Sequence, residues 1–281
     1  METPETFAED LLQPAEKIAP VHPTPNDPPW NSWIAVALWF LSVIFIVIIP
    51  AVLLLPYLVG KGAFTWPSEE LAKYASTDPT AIVIQMIAII PAHLFTLIFA
   101  WLVVTKRGRF PFRETLGFRS GGVRWWHYIL IFVCFFGLAA LVGSYFPDKE
   151  NELIRILQSS RTAVFVVAFM ATFTAPLIEE VIYRGVLYSA FQRSMGVAAA
   201  VALVTLIFAL VHVPQYYETP ATLFLLLILS LVLTLMRVYS NNLLPCIILH
   251  TILNGVQSIM LVLEPYLRQE TPQSAVSFFF K

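Results

Sequence analysis

The sequence predicts an all-α fold, a polytopic bundle of seven to eight transmembrane helices. Of the 281 residues, 58% are hydrophobic and only 12% are charged, whereas soluble domains average about 25% charged residues. Seven apolar stretches each approach or exceed the roughly 20 residues that a helix needs to cross a bilayer. The alternating ten-residue segments of a membrane β-barrel are absent. A single soluble domain is therefore excluded, and the net charge of −1 gives no basic footprint for nucleic acid.

The chain divides into a tail, a membrane domain and a second tail. Residues 1–32 are expected to form a flexible N-terminal tail, because the Pro-rich stretch 20–29 cannot continue a helix. Residues 33–263 are expected to form one transmembrane domain, followed by a short C-terminal tail over 264–281. The first span is too long for a signal peptide and lacks a cleavage site, so it should stay in the mature protein. The predicted spans are 33–59, 81–105, 125–146, 163–193, 196–217, 222–239 and 242–263.

Charge in the loops predicts the orientation. The loop over 106–124 carries six Lys or Arg residues against one Glu, an excess that is typical of the cytoplasmic side. The loop near 60–80 carries more acidic than basic residues and should lie outside. We therefore expect an integral membrane protein of the bacterial cytoplasmic membrane, with the N-terminus inside. The cations of the inner loop are Lys106, Arg107, Arg109, Arg113, Arg119 and Arg124.

The fourth predicted span contains ionisable residues near its middle. Such groups are costly inside a bilayer and by default indicate function. Glu180 and Arg184 are four residues apart in the orientation that favours an ion pair on a helix. Adjacent helical residues point about 100° apart, so Glu179 should face a different partner. Pro176 removes a backbone hydrogen bond and is expected to bend the helix.

Two further spans carry polar groups. Span five contains Phe208 and His212, and span seven contains His250 and Asn254, which share a helical face at a spacing of four. Counting about 1.5 Å of rise per residue places these groups in one layer with Glu179, with His250 lowest. A lone His93 in span two is expected to be structural.

This set of side chains admits two hydrolytic mechanisms. In the first, Glu179 and His212 activate a water molecule, because a carboxylate in a low-dielectric site is a competent general base near neutral pH. His250 and Asn254 then donate hydrogen bonds to the oxyanion on the attacked carbonyl. In the second, Glu179, His212 and His250 hold a catalytic zinc ion. The spacing does not separate the two, since no HExxH motif is present.

Three motifs occur in order along the chain: EExxxR over 179–184, FxxxH over 208–212 and HxxxN over 250–254. Together they resemble the signature of the CPBP intramembrane proteases, a family that includes type II CAAX prenyl endopeptidases and bacteriocin-processing or self-immunity (Abi) proteins. The resemblance covers a motif core of about 160–260. It implies about eight helices and a site that opens toward the cytoplasm.

The resemblance also implies roles. Glu179 and His212 would activate the water, His250 and Asn254 would hold the oxyanion, and the supporting residues would be Glu180, Arg184 and Phe208. It favours a reaction without a cofactor, with zinc as the alternative. The expected partners are the lipid bilayer and a peptide or membrane-protein substrate. A non-catalytic immunity or scaffold protein, which would keep the polar cluster for packing, is the competing interpretation.

Overall fold

The computed structural model describes residues 22–146 and 160–270. This part of the chain contains seven helices that are long and apolar enough to cross a membrane, and it contains no strand element. The predicted all-α polytopic bundle is therefore confirmed, and the protein is an integral membrane protein. The helices are α1 (Ser32–Gly60), α2 (Ser68–Thr77), α3 (Pro79–Val104), α4 (Phe112–Leu116), α5 (Trp125–Tyr145), α6 (Arg161–Met195), α7 (Val197–Tyr216), α8 (Pro220–Ser240) and α9 (Leu244–Glu270). All except the short α2 and α4 are candidate spans.

Local sequence signals explain where these helices begin and end. The side chain of Asn31 caps the N-terminus of α1. Asp78 caps α3 in the same way, and Pro79 occupies the first turn, where its missing N–H has no cost. Gly196, with φ of 84°, separates α6 from α7, and Asn241, with φ of 52°, ends α8. Glycine and asparagine both tolerate a positive φ, and a right-handed α-helix ends where φ becomes positive.

Helix α6 lies at the centre of the bundle. Every residue from 180 to 191 is buried, and the main hydrophobic cluster packs this stretch against α1, α3 and α7. A helix that is buried on all sides must have neighbours all round. By contrast, Phe135 is the one buried residue of α5, so most of that helix is free to contact lipid.

Four segments lie together at one end of the bundle, because each spanning helix reverses the direction of the previous one. They are residues 22–31, 105–124, 193–196 and 241–243, and we call this end the basic end. Its loops are closely packed: the Leu243 N–H donates to the Gly117 carbonyl over 2.8 Å. Gly117 has a φ of 79°, and a Cβ added there would lie 2.7 Å from Asn242 Oδ1, so this position requires glycine.

Residues 22–31, which we call the N-terminal strap, differ from the expected flexible tail. Trp30 is 2% exposed, and its Nε1 donates to the Val186 carbonyl over 3.1 Å. Arg237 Nη2 donates to the Pro25 carbonyl over 2.7 Å, and Gln192 donates to the strap backbone. These contacts hold the strap across the basic end. The first part of the predicted tail, residues 1–21, lies outside the described residues.

The C-terminal boundary also differs from the expectation. Helix α9 continues through Glu270, seven residues past the predicted end of the membrane domain at residue 263. The rest of the predicted C-terminal tail, residues 271–281, lies outside the described part of the chain.

Candidate active site

Helix α6 presents its two glutamates from an irregular stretch. A π-helical turn over Met170–Thr174 precedes the short α-helical piece Ala175–Glu180, and a second π-helical stretch follows over Val181–Leu187. π-Turns are rare, occur mostly as single turns inside α-helices and are frequent at functional sites. The predicted bend near Pro176 thus coincides with two wide turns that the sequence did not indicate.

Glu180 and Arg184 form a buried ion pair. Arg184 Nη1 lies 2.8 Å from Glu180 Oε1, and both side chains are fully buried. Helix α8 satisfies the rest of the guanidinium: Nη2 donates to the carbonyl and hydroxyl of Ser230 over 2.9 and 2.8 Å, and Nε donates to Thr234 Oγ1 over 3.3 Å. A buried ion pair needs such additional hydrogen bonds to offset its desolvation. Arg184 therefore fixes α6 against α8 and holds the Glu180 carboxylate.

His250 lies between the two glutamates. Its Nδ1 is 2.8 Å from Glu180 Oε1, and its Nε2 is 3.9 Å from Glu179 Oε2. Because a carboxylate only accepts hydrogen bonds, Nδ1 carries the proton toward Glu180, and this bond orients Nε2 toward Glu179. The Glu180 side chain is completely buried, whereas Glu179 is 27% exposed. The two adjacent carboxylates thus have different environments, and only that of Glu179 is accessible.

Phe208 connects the polar groups. It is 1% exposed, and its ring centroid lies 4.8 Å from the Arg184 guanidinium carbon. The same ring lies 4.8 Å from the His212 ring and 6.3 Å from the His250 ring. Tyr183 packs edge-on against it at 5.0 Å. A single aromatic side chain therefore sets the spacing between the two histidines and covers the buried cation.

His212 is oriented by its own helix. Its Nδ1 lies 2.7 Å from the Phe208 carbonyl, one turn earlier in α7. A carbonyl oxygen only accepts, so Nδ1 must be the protonated nitrogen. In the neutral ring, Nε2 is then the atom with a lone pair. The half-buried ring therefore has one nitrogen committed to structure and the other available for proton transfer.

Asn254 is anchored to the first π-turn. Its Nδ2 donates to the Ala171 carbonyl over 3.0 Å, which uses one of its two amide hydrogens. The same turn is held from the other side by His93 of α3, whose Nδ1 lies 3.0 Å from Thr174 Oγ1. His93 is thus bonded within the bundle, in agreement with the structural role expected for it.

Comparison with known proteins identifies this part of the chain. Residues 161–256 match the family model described as type II CAAX prenyl endopeptidase Rce1-like. The protein carries an Rce1-like domain. The match supports the predicted CPBP membership and its protease class, and it spans all three motifs. No curated protein and no solved structure matches the chain in the same searches.

Within the Rce1-like domain, the predicted site residues fall into two groups. The structure brings Glu179, Glu180, Arg184 and His250 into one cluster of charged and polar contacts. His212 joins this cluster through Phe208, while the described contact of Asn254 is to the π-turn ahead of the glutamates.

Two residues of α8 that bond Arg184, Ser230 and Thr234, were not predicted from the sequence. Ser230 and Thr234 are four residues apart in an otherwise apolar helix, which was the available signal. That signal is weak, because a hydroxyl in a helix commonly bonds to the carbonyl one turn back, and Thr234 Oγ1 does donate to the Ser230 carbonyl over 2.7 Å. Only the packing of α8 on α6 reveals that both also hold Arg184.

The alternative zinc set does not fit this arrangement. Among the described residues, no group of three His, Cys, Asp or Glu side chains is placed to hold a metal ion. His212 adds no third donor beside His250 and Glu179, because the described contacts of its ring are to Phe208. A tetrahedral zinc site needs nitrogen and oxygen ligands about 2 Å from one centre. We therefore derive no step through a metal.

Proposed function

We propose that the protein is an intramembrane endopeptidase of the CAAX-processing type, which hydrolyses a peptide bond in a membrane-associated peptide or protein. The observation that carries this proposal is the contrast between the two glutamates of the Rce1-like domain. Glu180 is buried and paired with Arg184, whereas Glu179 is partly exposed and faces His250. One carboxylate is thus committed to structure and the other is free for chemistry.

In the proposed reaction, Glu179 accepts a proton from a water molecule while the water oxygen adds to the carbonyl carbon of the substrate. General-base catalysis of this kind contributes about 10²–10⁴-fold in rate. The C–N bond of the tetrahedral intermediate then breaks, and the proton that Glu179 took from the water passes through His212 Nε2 to the leaving amine. His212 suits the proton transfer, because its Nδ1 bond to the Phe208 carbonyl leaves Nε2 available.

The developing oxyanion needs hydrogen-bond donors. His250 can donate from Nε2 in its imidazolium form, since Nδ1 is already directed at Glu180. Asn254 keeps one amide hydrogen after its bond to Ala171. Each preorganised donor of this kind typically changes the rate by about 10²–10³-fold. In this proposal Glu180, Arg184 and Phe208 position the reacting groups without contacting the substrate.

The proposal includes a cytoplasmic location for the basic end and a metal-independent reaction. The cations of the 106–124 loop support the first part, in agreement with a site that works on peptides presented from the cytoplasm of a bacterium. The arrangement of the histidines and glutamates supports the second. The substrate could be a prenylated C-terminus or an unmodified peptide, and the assay below includes both.

The test is peptide cleavage by purified protein in lipid nanodiscs, with a panel of hydrophobic peptides with and without a prenyl group. Glu179→Ala and His212→Ala should each lose at least about 100-fold in rate. The matched control is Glu69→Ala, which removes an exposed carboxylate of α2 and should leave the rate unchanged. Thermal unfolding of each variant verifies the fold.

Full activity in both variants would reject the proposed mechanism. The non-catalytic interpretation makes a different prediction: binding to a partner, or protection of a host cell, should then survive both substitutions. Cleavage that is lost in the variants while binding is retained supports the protease.

A further inference from the structure

A cavity of about 240 Å³ lies at the basic end, between the start of α1 and the end of α3. Trp30, Ile34, Leu102 and Val103 form apolar walls, and Lys106 and Arg107 also line it. The cavity thus has a lining that combines apolar side chains with two cations. It lies at the level where the helices leave the hydrocarbon, because α1 begins and α3 ends there.

The two cations have an unusual backbone. Helix α3 ends in a Schellman motif, in which the Arg107 N–H donates to the Leu102 carbonyl over 2.9 Å and the Lys106 N–H to the Val103 carbonyl over 3.3 Å. Lys106 has a φ of 46° and Arg107 a φ of 61°. Glycine normally takes the left-handed position of this motif, and other residues are strained there. Strained backbone of this kind is concentrated at functional sites, and here it carries the two cations that line the cavity.

No described residue neutralises the charges of Lys106 and Arg107. Within residues 22–146 and 160–270, neither side chain forms an ion pair or a side-chain hydrogen bond, and no acidic residue lines the cavity. The adjoining surface is apolar: Ile34 is 43% exposed and Trp33 is 82% exposed. A ligand that fits must therefore be anionic at one end and apolar at the other.

We propose that this cavity binds the headgroup of an anionic phospholipid from the leaflet at the basic end. The phosphate would accept hydrogen bonds from Lys106 and Arg107, and the acyl chains would run along the exposed apolar side chains that follow Ile34 in α1. Basic pockets between membrane helices are suited to lipid headgroups in this way. Since Trp30 belongs to the N-terminal strap, a bound lipid also holds the strap in place. This inference is independent of the proposed protease function.

The test is lipid binding to the purified full chain. Phosphatidylglycerol and phosphatidylcholine with identical acyl chains are titrated separately, and bound lipid is counted by native mass spectrometry alongside the shift in Tm. We expect one tightly held phosphatidylglycerol that raises Tm by linkage. The variant Lys106→Gln with Arg107→Gln should bind it about 30-fold more weakly, from the usual contribution of two cations near an anionic lipid.

The matched control is Arg113→Gln with Arg119→Gln, which removes two cations from the same loop but not from the cavity. It should bind phosphatidylglycerol nearly as well as the native chain. Equal weakening in both double variants would overturn the proposal, because it indicates general attraction of anionic lipid to the loop. Equal retention of phosphatidylcholine would also overturn it, because it shows that the cavity does not select an anionic headgroup. Displacement of the lipid by soluble glycerol phosphate would likewise overturn the role of the acyl chains.

A second variant separates binding from folding. Lys106→Gly places glycine where φ is 46°, so the lipid-free protein should have a higher Tm than the native chain. Its Tm gain from phosphatidylglycerol should nevertheless shrink. An undiminished gain would contradict the assignment of Lys106.

Discussion

The Glu180 carboxylate and the His250 imidazole lie 2.8 Å apart across the α6–α9 contact. The same carboxylate oxygen also accepts from Arg184 over 2.8 Å. One oxygen atom of Glu180 therefore contacts both Arg184 and His250. A substitution of Glu180 removes a hydrogen-bond partner from both residues at once. This arrangement separates the structural glutamate from its accessible neighbour and leads to the first prediction.

Glu180→Gln should mainly lower stability. The change leaves the Arg184 guanidinium buried without a counter-charge, and breaking a buried pair in this way costs about 3–5 kcal/mol. Glu179→Gln should leave the unfolding free energy nearly unchanged and abolish cleavage. Thermal unfolding and peptide cleavage measured on both variants provide the comparison. Equal effects of the two substitutions on both measurements would contradict the division of roles.

His212→Asn should separate structure from chemistry. The asparagine amide can replace the Nδ1 donor to the Phe208 carbonyl, while the group at the Nε2 position is lost. We expect Tm to stay close to the native value and cleavage to fall by about 10²–10⁴-fold. A pronounced drop in Tm with cleavage preserved in the remaining folded protein would assign His212 to packing.

Phe208→Ala tests the aromatic connection between the histidines. Removal of a buried phenylalanine ring costs about 3–5 kcal/mol, and here the ring also covers Arg184. Phe208→Leu retains most of the volume and should cost less than half as much. If the ring sets the His212 geometry, the leucine variant will still show reduced kcat at a temperature where it is fully folded.

The cap of α3 should give a pH-dependent contribution to stability. Burial raises the pKa of Asp78, but the hydrogen bonds from the Ala81 N–H and the Tyr57 hydroxyl lower it more, so the net pKa is below the ordinary 3.8. A depressed carboxyl pKa stabilises the folded state above the unfolded pKa, and this contribution is lost as pH falls through the folded pKa. The Tm of native protein should therefore fall more steeply below about pH 4 than that of Asp78→Asn. Parallel curves for the two proteins would show that the cap does not titrate.

Metal independence is the last prediction. Cleavage should persist after dialysis against EDTA and 1,10-phenanthroline, and added zinc should not raise the rate of the dialysed protein. Elemental analysis of active protein completes the measurement. Loss of activity on chelation, with recovery on adding zinc, would favour the ligand set Glu179, His212 and His250 instead.

The spans and the three motifs could be predicted because they depend on short-range features, namely the length of apolar stretches and spacing along one helix. The depth of His250 could not. Counting residues from the membrane surface placed it lowest, but the α8–α9 turn is itself buried: Leu243 is 0% exposed and bonds to Gly117. The loop that contains Gly117 covers this turn, so residue 242 does not mark the membrane surface, and the 2.8 Å contact places His250 at the level of Glu180.

The N-terminal strap and the π-turns had no usable sequence signal. Proline-rich composition at residues 20–29 is typical of a free linker, and it does not encode the burial of Trp30 against Val186. The π-turns of α6 form within the packed bundle, where neighbours such as His93 and Asn254 bond to the widened backbone or its side chains. Composition and periodicity describe a helix by itself, and these features arise from its neighbours.

The second π-helical stretch, over Val181–Leu187, makes the length of α6 part of its function. Deleting one residue there would let the backbone close into a regular α-helix with the same apolar character. A π-helical turn accommodates one additional residue within the helix, so the end of α6 would keep its position and the contact of Gln192 with the strap, while the side chains inside the shortened turn would rotate relative to the glutamates. Homologous chains that are one residue shorter after Arg184 would therefore retain all three motifs and the closure of the basic end, and would differ in how this turn presents its side chains.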